Sequence, residues 1–291
     1  MTVGVTQTGS LANSLPYVIE SARIVRKFDA VMPRLVDRTT LPEGAGLDWN
    51  EISIAQMTAQ TVTESTILDN PQQLADTLFS VTPTVAAIHT LITKRAERRI
   101  DRKVAGQIGK VAAQAMETKK DKDGLAILDG ATTSLSGAGT TLTSGIIAAA
   151  TSRIRGNTTE PNRTGSLYGV LHDYQLKDIE DEVLAGVGTY TIPSGLTQDA
   201  FRSGFSGTCR QAEMYTDGNI VIDSADDAKG GVFARDAIVL VEGFSPTTYT
   251  KELPERQGAT AMWMYDEYAY GERSAGNWLY EVYSDALAPT S

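Results

Sequence analysis

Apolar positions recur at different rhythms along the chain, and each rhythm predicts a different element. Ile19, Ala22, Val25 and Phe28 follow Ser14-Leu15-Pro16 at helical spacing, which reads as a capped amphipathic arm ending before Pro33. From Arg34 to Asn70 large apolar side chains thin out and Thr becomes frequent. Arg34–Thr39 and Asp48–Met57 read as two strands around Leu41-Pro42-Glu43-Gly44-Ala45-Gly46, with Ile52 and Ile54 alternating with Ser53 and Ala55. The two strands are expected to pair as an extended hairpin. A ribbon of this composition cannot bury itself, and two strands alone are marginal in water, so its expected support is a neighbouring subunit.

Asn70-Pro71 breaks the pattern, and Thr77–Ile92 fits either strand or helix, with strand favoured because Thr, Val and Pro83 dominate it. A long helix is expected from Thr93. Ala96, Ile100, Val104, Ile108, Val111 and Ala115 form one apolar stripe over about 25 residues, or roughly 38 Å of helix. Lys119-Lys120-Asp121-Lys122-Asp123-Gly124 is expected to end it in a solvated turn. Beyond lie a helix at Thr143–Arg155 closed by Gly156, a strand at Leu167–Leu171, a helix at Asp173–Leu184 and a short helix after Thr197. Strands are expected at Ile220–Ile222, Ala237–Glu242, Thr247–Leu253, Ala259–Tyr268 and Trp278–Tyr283. The fold class is α+β.

Composition narrows this picture. With 291 residues at 41% hydrophobic, the chain can bury a sizeable core. The N-terminal residues carry no basic and apolar leader, and no run approaches the roughly 20 apolar residues that span a bilayer, so the reading is a soluble chain not exported by that route. The single cysteine, Cys209, cannot form an internal disulfide and reads as a small core side chain. Residues 1–169 hold 18 Lys/Arg and 16 Asp/Glu, a net +2, whereas 170–291 hold 8 and 20, a net −12. So acidic a half repels phosphate and does not suit a broad nucleic-acid grip.

Candidate chemistry is sparse. His89 and His172 stand far apart, outside any metal-ligand spacing. Asp121-Lys122-Asp123-Gly124 opens like a calcium loop but lacks the acidic or amide residue at the fifth position and the Glu at the twelfth. Neither phosphate-cradling glycine motif occurs. His172-Asp173 invites a hydrolase reading, yet no G-x-S-x-G elbow accompanies it. A cytoplasmic hydrolase built on that pair is therefore the rival of another class. No catalytic, cofactor or metal site is expected. One polar constellation stands out: Lys94, Arg95, Arg98, Arg99, Arg102 and Lys103 would form two adjacent basic rows at i, i+4 spacing on a helix. Like charges so spaced repel by a few tenths of a kcal/mol per pair, and cations in a first turn oppose the helix dipole. An anionic partner would relieve both penalties; a solvated face is the plainer reading.

The order of these parts resembles a tailed-phage major capsid protein of the Hong Kong 97 type. Arm, hairpin, long helix and central mixed region are followed by Gly231-Val232-Phe233-Ala234-Arg235-Asp236-Ala237-Ile238 and by a late β run ending Trp278-Leu279-Tyr280-Glu281-Val282-Tyr283, and the likeness spans the whole chain. The resemblance implies an N-terminal arm at 1–33 and an extended loop at 34–70. It further implies a peripheral domain with a spine helix at 71–139, an axial domain at 140–246, and a return to the peripheral domain at 247–291. It implies pentamers and hexamers closing into an icosahedral virion shell around double-stranded DNA, assembled in the host cytoplasm. The implied partners are a separate scaffolding protein, because only about 30 residues precede the hairpin, a portal protein and decoration proteins. An encapsulin-like nanocompartment is the alternative within the fold. Arg38, Glu43, Asp48 and Trp49 of the hairpin, with Arg98 and Arg102 of the basic stripe, are the candidate inter-subunit contacts. No Lys occurs between Lys27 and Lys94, so the covalent crosslink that some relatives make from a loop Lys is not expected.

Overall fold

The computed structural model describes residues 28–44, 46–55, 57–63, 72–99, 102–157, 165–185, 207–274 and 276–289, with side chains undescribed at 102–107 and 183–185. Of the expected arm, residues 28–33 are described: 28–31 are not helical, and a short helix, Met32–Leu35, starts where the arm was expected to end, with Pro33 in its first turn. The expected helix after Thr197 lies outside the described residues.

Two sheets and one long helix organise the chain. A four-stranded sheet has the order β1 (Asp37–Thr40), β10 (Ile238–Leu253), β11 (Ala259–Glu272), β4 (Thr84–Ile92). A six-stranded sheet has the order β5 (Ser134–Ser136), β12 (Leu279–Asp285), β9 (Asp227–Ala234), β6 (Leu167–Leu171), β8 (Ala212–Thr216), β7 (Thr208–Cys209). A separate ribbon consists of β2 (Trp49–Ile54) and β3 (Asp76–Val81). The helices are α1 (Met32–Leu35), α2 (Lys94–Glu97), α3 (Arg102–Asp129), α4 (Ser144–Gly156) and α5 (Asp173–Ala185). One buried apolar cluster joins the layers. It runs from Met32, Ala112 and Met116 beside Met264 and Tyr268 of one sheet to Leu125 and Leu128 beside Val232 and Val282 of the other.

Where the local signal is complete, the expected element forms. In α4, Ile147, Ala150, Thr151 and Ile154 are buried at spacings of three and four. β6 has four of its five residues buried, as its apolar run requires in a central strand. The Thr77–Ile92 stretch is strand, in two pieces either side of Thr82-Pro83. The Cys209 side chain is half-buried.

Several expectations are corrected. The expected hairpin strands do not pair with each other: β1 pairs in parallel with β10, Arg38 opposite Leu240, while β2 pairs antiparallel with β3, Ile52 opposite Leu78. The reason is burial, because β1 next to Val239 and Val241 shields a strand that is buried along its first four residues. The helix expected from Thr93 is not continuous. α2 stops at Glu97, capped at its start by the Thr93 hydroxyl, which accepts from the Ala96 N–H. α3 then runs past Lys119–Gly124 to Asp129, so that sequence is helix and not a turn. Its charges are not free to solvate a turn: Lys120 and Asp121 are buried and paired with other elements. Gly124 is small for contact, since a Cβ there would meet the Met32 Cβ at 2.9 Å and the Tyr270 ring at 3.1 Å. Ile220–Ile222 makes only an isolated bridge from Ile222 to Ala228. Ala237–Glu242 and Thr247–Leu253 fuse, through irregularities between Glu242 and Thr247, into one 16-residue strand that crosses the expected boundary at 246. The late strand β12 pairs with β9 and β5, inside the six-stranded sheet.

Candidate functional site

Among the described residues, the β2–β3 ribbon has one face left exposed by its own chain. Its period-two alternation sends Trp49, Glu51, Phe79 and Val81 to one face and Ile52, Ile54 and Leu78 to the other. The first face is anchored. Trp49 and Phe79 meet edge to face at 6.3 Å and pack with Val81 on the buried Val239 and Val241. The second face is bare: Ile52, Ile54 and Leu78 are 63%, 67% and 63% exposed. Apolar side chains continue beyond it, with Leu74 and Met57 also exposed. Three contiguous large aliphatic residues on a two-stranded ribbon form the kind of patch that another surface covers.

The ribbon's base is held by charge. Arg273, mostly buried at the end of the β11 region, donates from Nε to Glu51 Oε2 (2.8 Å), from one terminal nitrogen to Asp37 Oδ2 (2.7 Å) and from the other to the Asp236 carbonyl (3.0 Å). Burial alone would lower the guanidinium's affinity for its proton, but the bonds to Glu51 and Asp37 outweigh it and raise the pKa further. Gly271 makes room beside this clamp. A Cβ at that position would lie 2.5 Å from Val81 Cγ2 and 2.8 Å from the Phe79 ring.

A second uncovered surface lies on the four-stranded sheet. Tyr249, Trp263 and His89 are register partners across β10, β11 and β4, and the His89 and Trp263 rings stack in parallel at 4.9 Å. Tyr265 sits against Tyr249 at 6.1 Å on the same face. Met264, one residue out of phase, points to the opposite side and is buried with Met116 of α3.

Behind these surfaces lies a polar seam. Lys120 of α3 bonds Asp266 (2.9 Å) and Glu242 (3.1 Å) and stands 4.8 Å from the Tyr268 ring centroid. Arg38 completes the seam with a two-oxygen contact to Glu242 at 3.0 and 3.1 Å. Burial pushes the Glu242 carboxyl up, yet Lys120 and Arg38 together hold it below its ordinary range. A cleft of about 470 Å³ opens over the seam, lined among others by Arg34, Glu117, Pro246 and Met264.

The six candidate contact residues do not form one patch. Arg38 is spent on Glu242 of its own chain, Asp48 accepts from the Thr82 hydroxyl at 2.5 Å, and Trp49 turns inward to Phe79. Glu43 is exposed in the turn after β1, and Arg98 is exposed just past α2. The Arg102 side chain lies outside the described residues. The basic stripe is not a continuous helical face, because α2 ends at Glu97 and Arg98 and Arg99 lie in a turn, and Lys94 already pairs with Glu252 at 3.1 Å. Sequence reasoning missed Arg273 and Gly271. Their signal is tertiary: each matters only because β11 passes under the ribbon's base.

His172 caps α5. Its Nδ1 accepts the Tyr174 backbone N–H at 3.2 Å, and burial outweighs the adjacent Asp173 to lower its pKa. That leaves Nδ1 committed to the backbone. The Cys209 thiol is raised by burial and by the Glu182 charge, so it stays protonated and weakly nucleophilic. Among the described residues no cluster of His, Cys, Asp or Glu has metal-binding geometry, and no helix is long and apolar enough to cross a membrane.

No protein-family model matches the chain, and no curated protein matches it in sequence. Solved structures do match in shape. The head structure of Helicobacter pylori bacteriophage KHP40 superposes with a TM-score of 0.72 at 11% identity, over 98% of this chain and 100% of that one. The capsid of Ralstonia phage GP4 gives 0.71 at 13% identity over the whole of both chains. The holo-SrpI encapsulin complex from Synechococcus elongatus PCC 7942 gives 0.60 at 10% identity over 89% of each. At these identities the likeness is one of fold, and it agrees with the resemblance to tailed-phage major capsid proteins of the Hong Kong 97 type that the order of elements carries.

Proposed function

We propose that this chain is a major capsid protein that assembles through pentamers and hexamers into an icosahedral shell enclosing double-stranded DNA. The observation that carries this reading is the bare aliphatic face of Ile52, Ile54 and Leu78 on a ribbon whose other face and base are fixed to the body. A ribbon held rigidly at one end and left apolar along its length is made to cover a second copy. Likeness in fold to phage capsids over the full chain supports the same conclusion.

In this reading the ribbon is the extended loop, α3 is the spine helix, the four-stranded sheet is the peripheral layer and the six-stranded sheet the axial one. Each subunit contact can be weak, because closed symmetry repeats it around the shell. The acidic C-terminal part suits a wall that contains DNA without gripping its sequence. A scaffolding protein, a portal protein and decoration proteins are the partners such a shell implies. An encapsulin-like compartment is the second reading, favoured by the SrpI neighbour at the lower TM-score of 0.60. Enclosed enzyme cargo in place of DNA distinguishes it.

The test is to shorten the ribbon. Ala55 N–H donates to the Ala75 carbonyl, so replacing residues 56–74 by Asn-Gly closes the strands where they already meet. The variant is expected to fold with stability within about 1 kcal/mol of the full chain, since loop tips contribute little to their own domain, and to form no closed particles. Normal particle yield from the shortened chain would contradict the proposal.

A further inference from the structure

Asp121 and Asp217 are both buried, at 0% and 1% exposure, and they sit side by side. Asp121 lies in the middle of α3. Its Oδ1 accepts the backbone N–H groups of Val31 (2.8 Å) and Met32 (2.9 Å), and its Oδ2 accepts the Asn219 side-chain amide (2.9 Å). Asp217 Oδ1 accepts the Asn219 backbone N–H (2.8 Å), while its Oδ2 is buried and has no donor. Between them lies Gly218, where a Cβ would meet the Phe28 ring at 2.4–2.6 Å, so the ring rests on this turn. Val31 and Met32 thus dock on Asp121, and Phe28 on Gly218 beside Asp217.

An ionised Asp217 would leave one oxygen unpaired against a second carboxylate. A proton on that oxygen resolves both problems, because it removes one charge and donates to Asp121. We propose that Asp121 and Asp217 form a proton-dependent latch, closed on residues 28–32 while the pair shares one proton and loosened when that proton leaves. On release the proton goes to solvent.

The surroundings offer the dianion little help. The charge that acts on Asp217 is that of Asp121, of the same sign. From β11, Tyr270 faces Asp121, and burial followed by the Asp121 charge raises its pKa, so it stays neutral. Lys120, next along α3, is spent on Glu242 and Asp266. The arm contributes backbone N–H groups and the Phe28 ring. Burial first, then the bond to Asp121, pushes the Asp217 carboxyl up from 3.8 to about 7. For an acid raised on folding, the stabilisation is complete below the unfolded value and is lost as pH climbs through the folded one. The latch is therefore closed toward pH 4 and loosens as pH passes about 7.

Hydrogen–deuterium exchange of the soluble full-length subunit tests this without recourse to assembly, so its failure is distinct from failure of the capsid reading. Protection of the Val31 and Met32 amides, corrected for the chemical exchange rate, is expected to fall on the order of tenfold or more between about pH 5.5 and about pH 8.5. Asp217→Asn, whose amide donates to Asp121 at every pH, is expected to abolish that fall while keeping the amides protected. Should that variant not fold, Asp121→Asn, which leaves a single carboxylate, is expected to flatten the dependence as well. Equal protection at both pH values in the unaltered chain would overturn the latch, as would an undiminished fall in either folded variant.

Discussion

Arg273 and Glu51 are joined at 2.8 Å between Nε and Oε2, across 222 residues of sequence, and this bond ties the base of the β2–β3 ribbon to the end of β11. The same guanidinium holds Asp37 of β1, so one side chain fixes the exit of two segments from the body. Removing it leaves two carboxylates facing each other. Arg273→Ala is expected to cost about 1–2 kcal/mol in urea unfolding, the partners being partly exposed and hence partly screened. Particle yield should fall further than stability. Arg273→Lys should rescue little, because a single ammonium cannot reproduce the forked geometry.

Gly271 gives a steric counterpart. With a Cβ only 2.5 Å from Val81 Cγ2, Gly271→Ala must displace the ribbon's base or its own strand. A loss of about 1–3 kcal/mol is expected from overpacking. Val81→Ala in the same chain should return part of it, and a double-mutant cycle in thermal unfolding measures the coupling.

The Lys120 seam makes a pH prediction of the opposite sign to the latch. Glu242 is held below its ordinary 4.5, so its stabilisation is present above that value and is lost as pH falls through the lower folded one. Lys120→Met leaves Asp266 buried without its cation and is expected to destabilise by about 3–5 kcal/mol near neutrality. Chemical denaturation at several pH values checks it: the gap between variant and parent should shrink as pH falls below 4.5 and Glu242 protonates.

Arg98 and Arg102 are proposed as inter-subunit cations, and charge reversal separates that role from folding. Arg98 is exposed and lies off the buried Ala96, so the pair Arg98→Glu and Arg102→Glu should change stability by at most about 0.5 kcal/mol each. If these cations meet an acidic surface of a neighbouring copy or of a scaffolding protein, charge reversal should cut particle yield sharply. Normal yield with normal salt dependence would return the stripe to plain solvation.

What the sequence made legible follows from how local each signal is. β6, α4 and α5 carry their complete pattern within a few residues, and their observed bounds fall within a residue or so of the expected ones. The pairing of β1 with β10 joins Arg38 to Leu240, and no local rhythm announces a partner 202 positions away. The continuation of α3 through Lys119–Gly124 has the same cause. Five charged residues and a glycine read as a turn until Asp266, Glu242 and Met32 are seen to need Lys120 and a bare Cα at position 124. At the candidate site the exposed Ile52–Ile54 alternation was readable, whereas the inward turn of Trp49 depends on Phe79 and on β10.

Electron microscopy of the purified chain, with its mass read by sedimentation, decides whether it builds a shell. Closed icosahedral particles of megadalton mass are expected, with five- and six-fold capsomers in which the Ile52, Ile54 and Leu78 face is covered by a neighbouring copy. A monodisperse 31.2 kDa monomer that forms no shell at any concentration or ionic strength, with or without a co-expressed scaffolding protein, would contradict it.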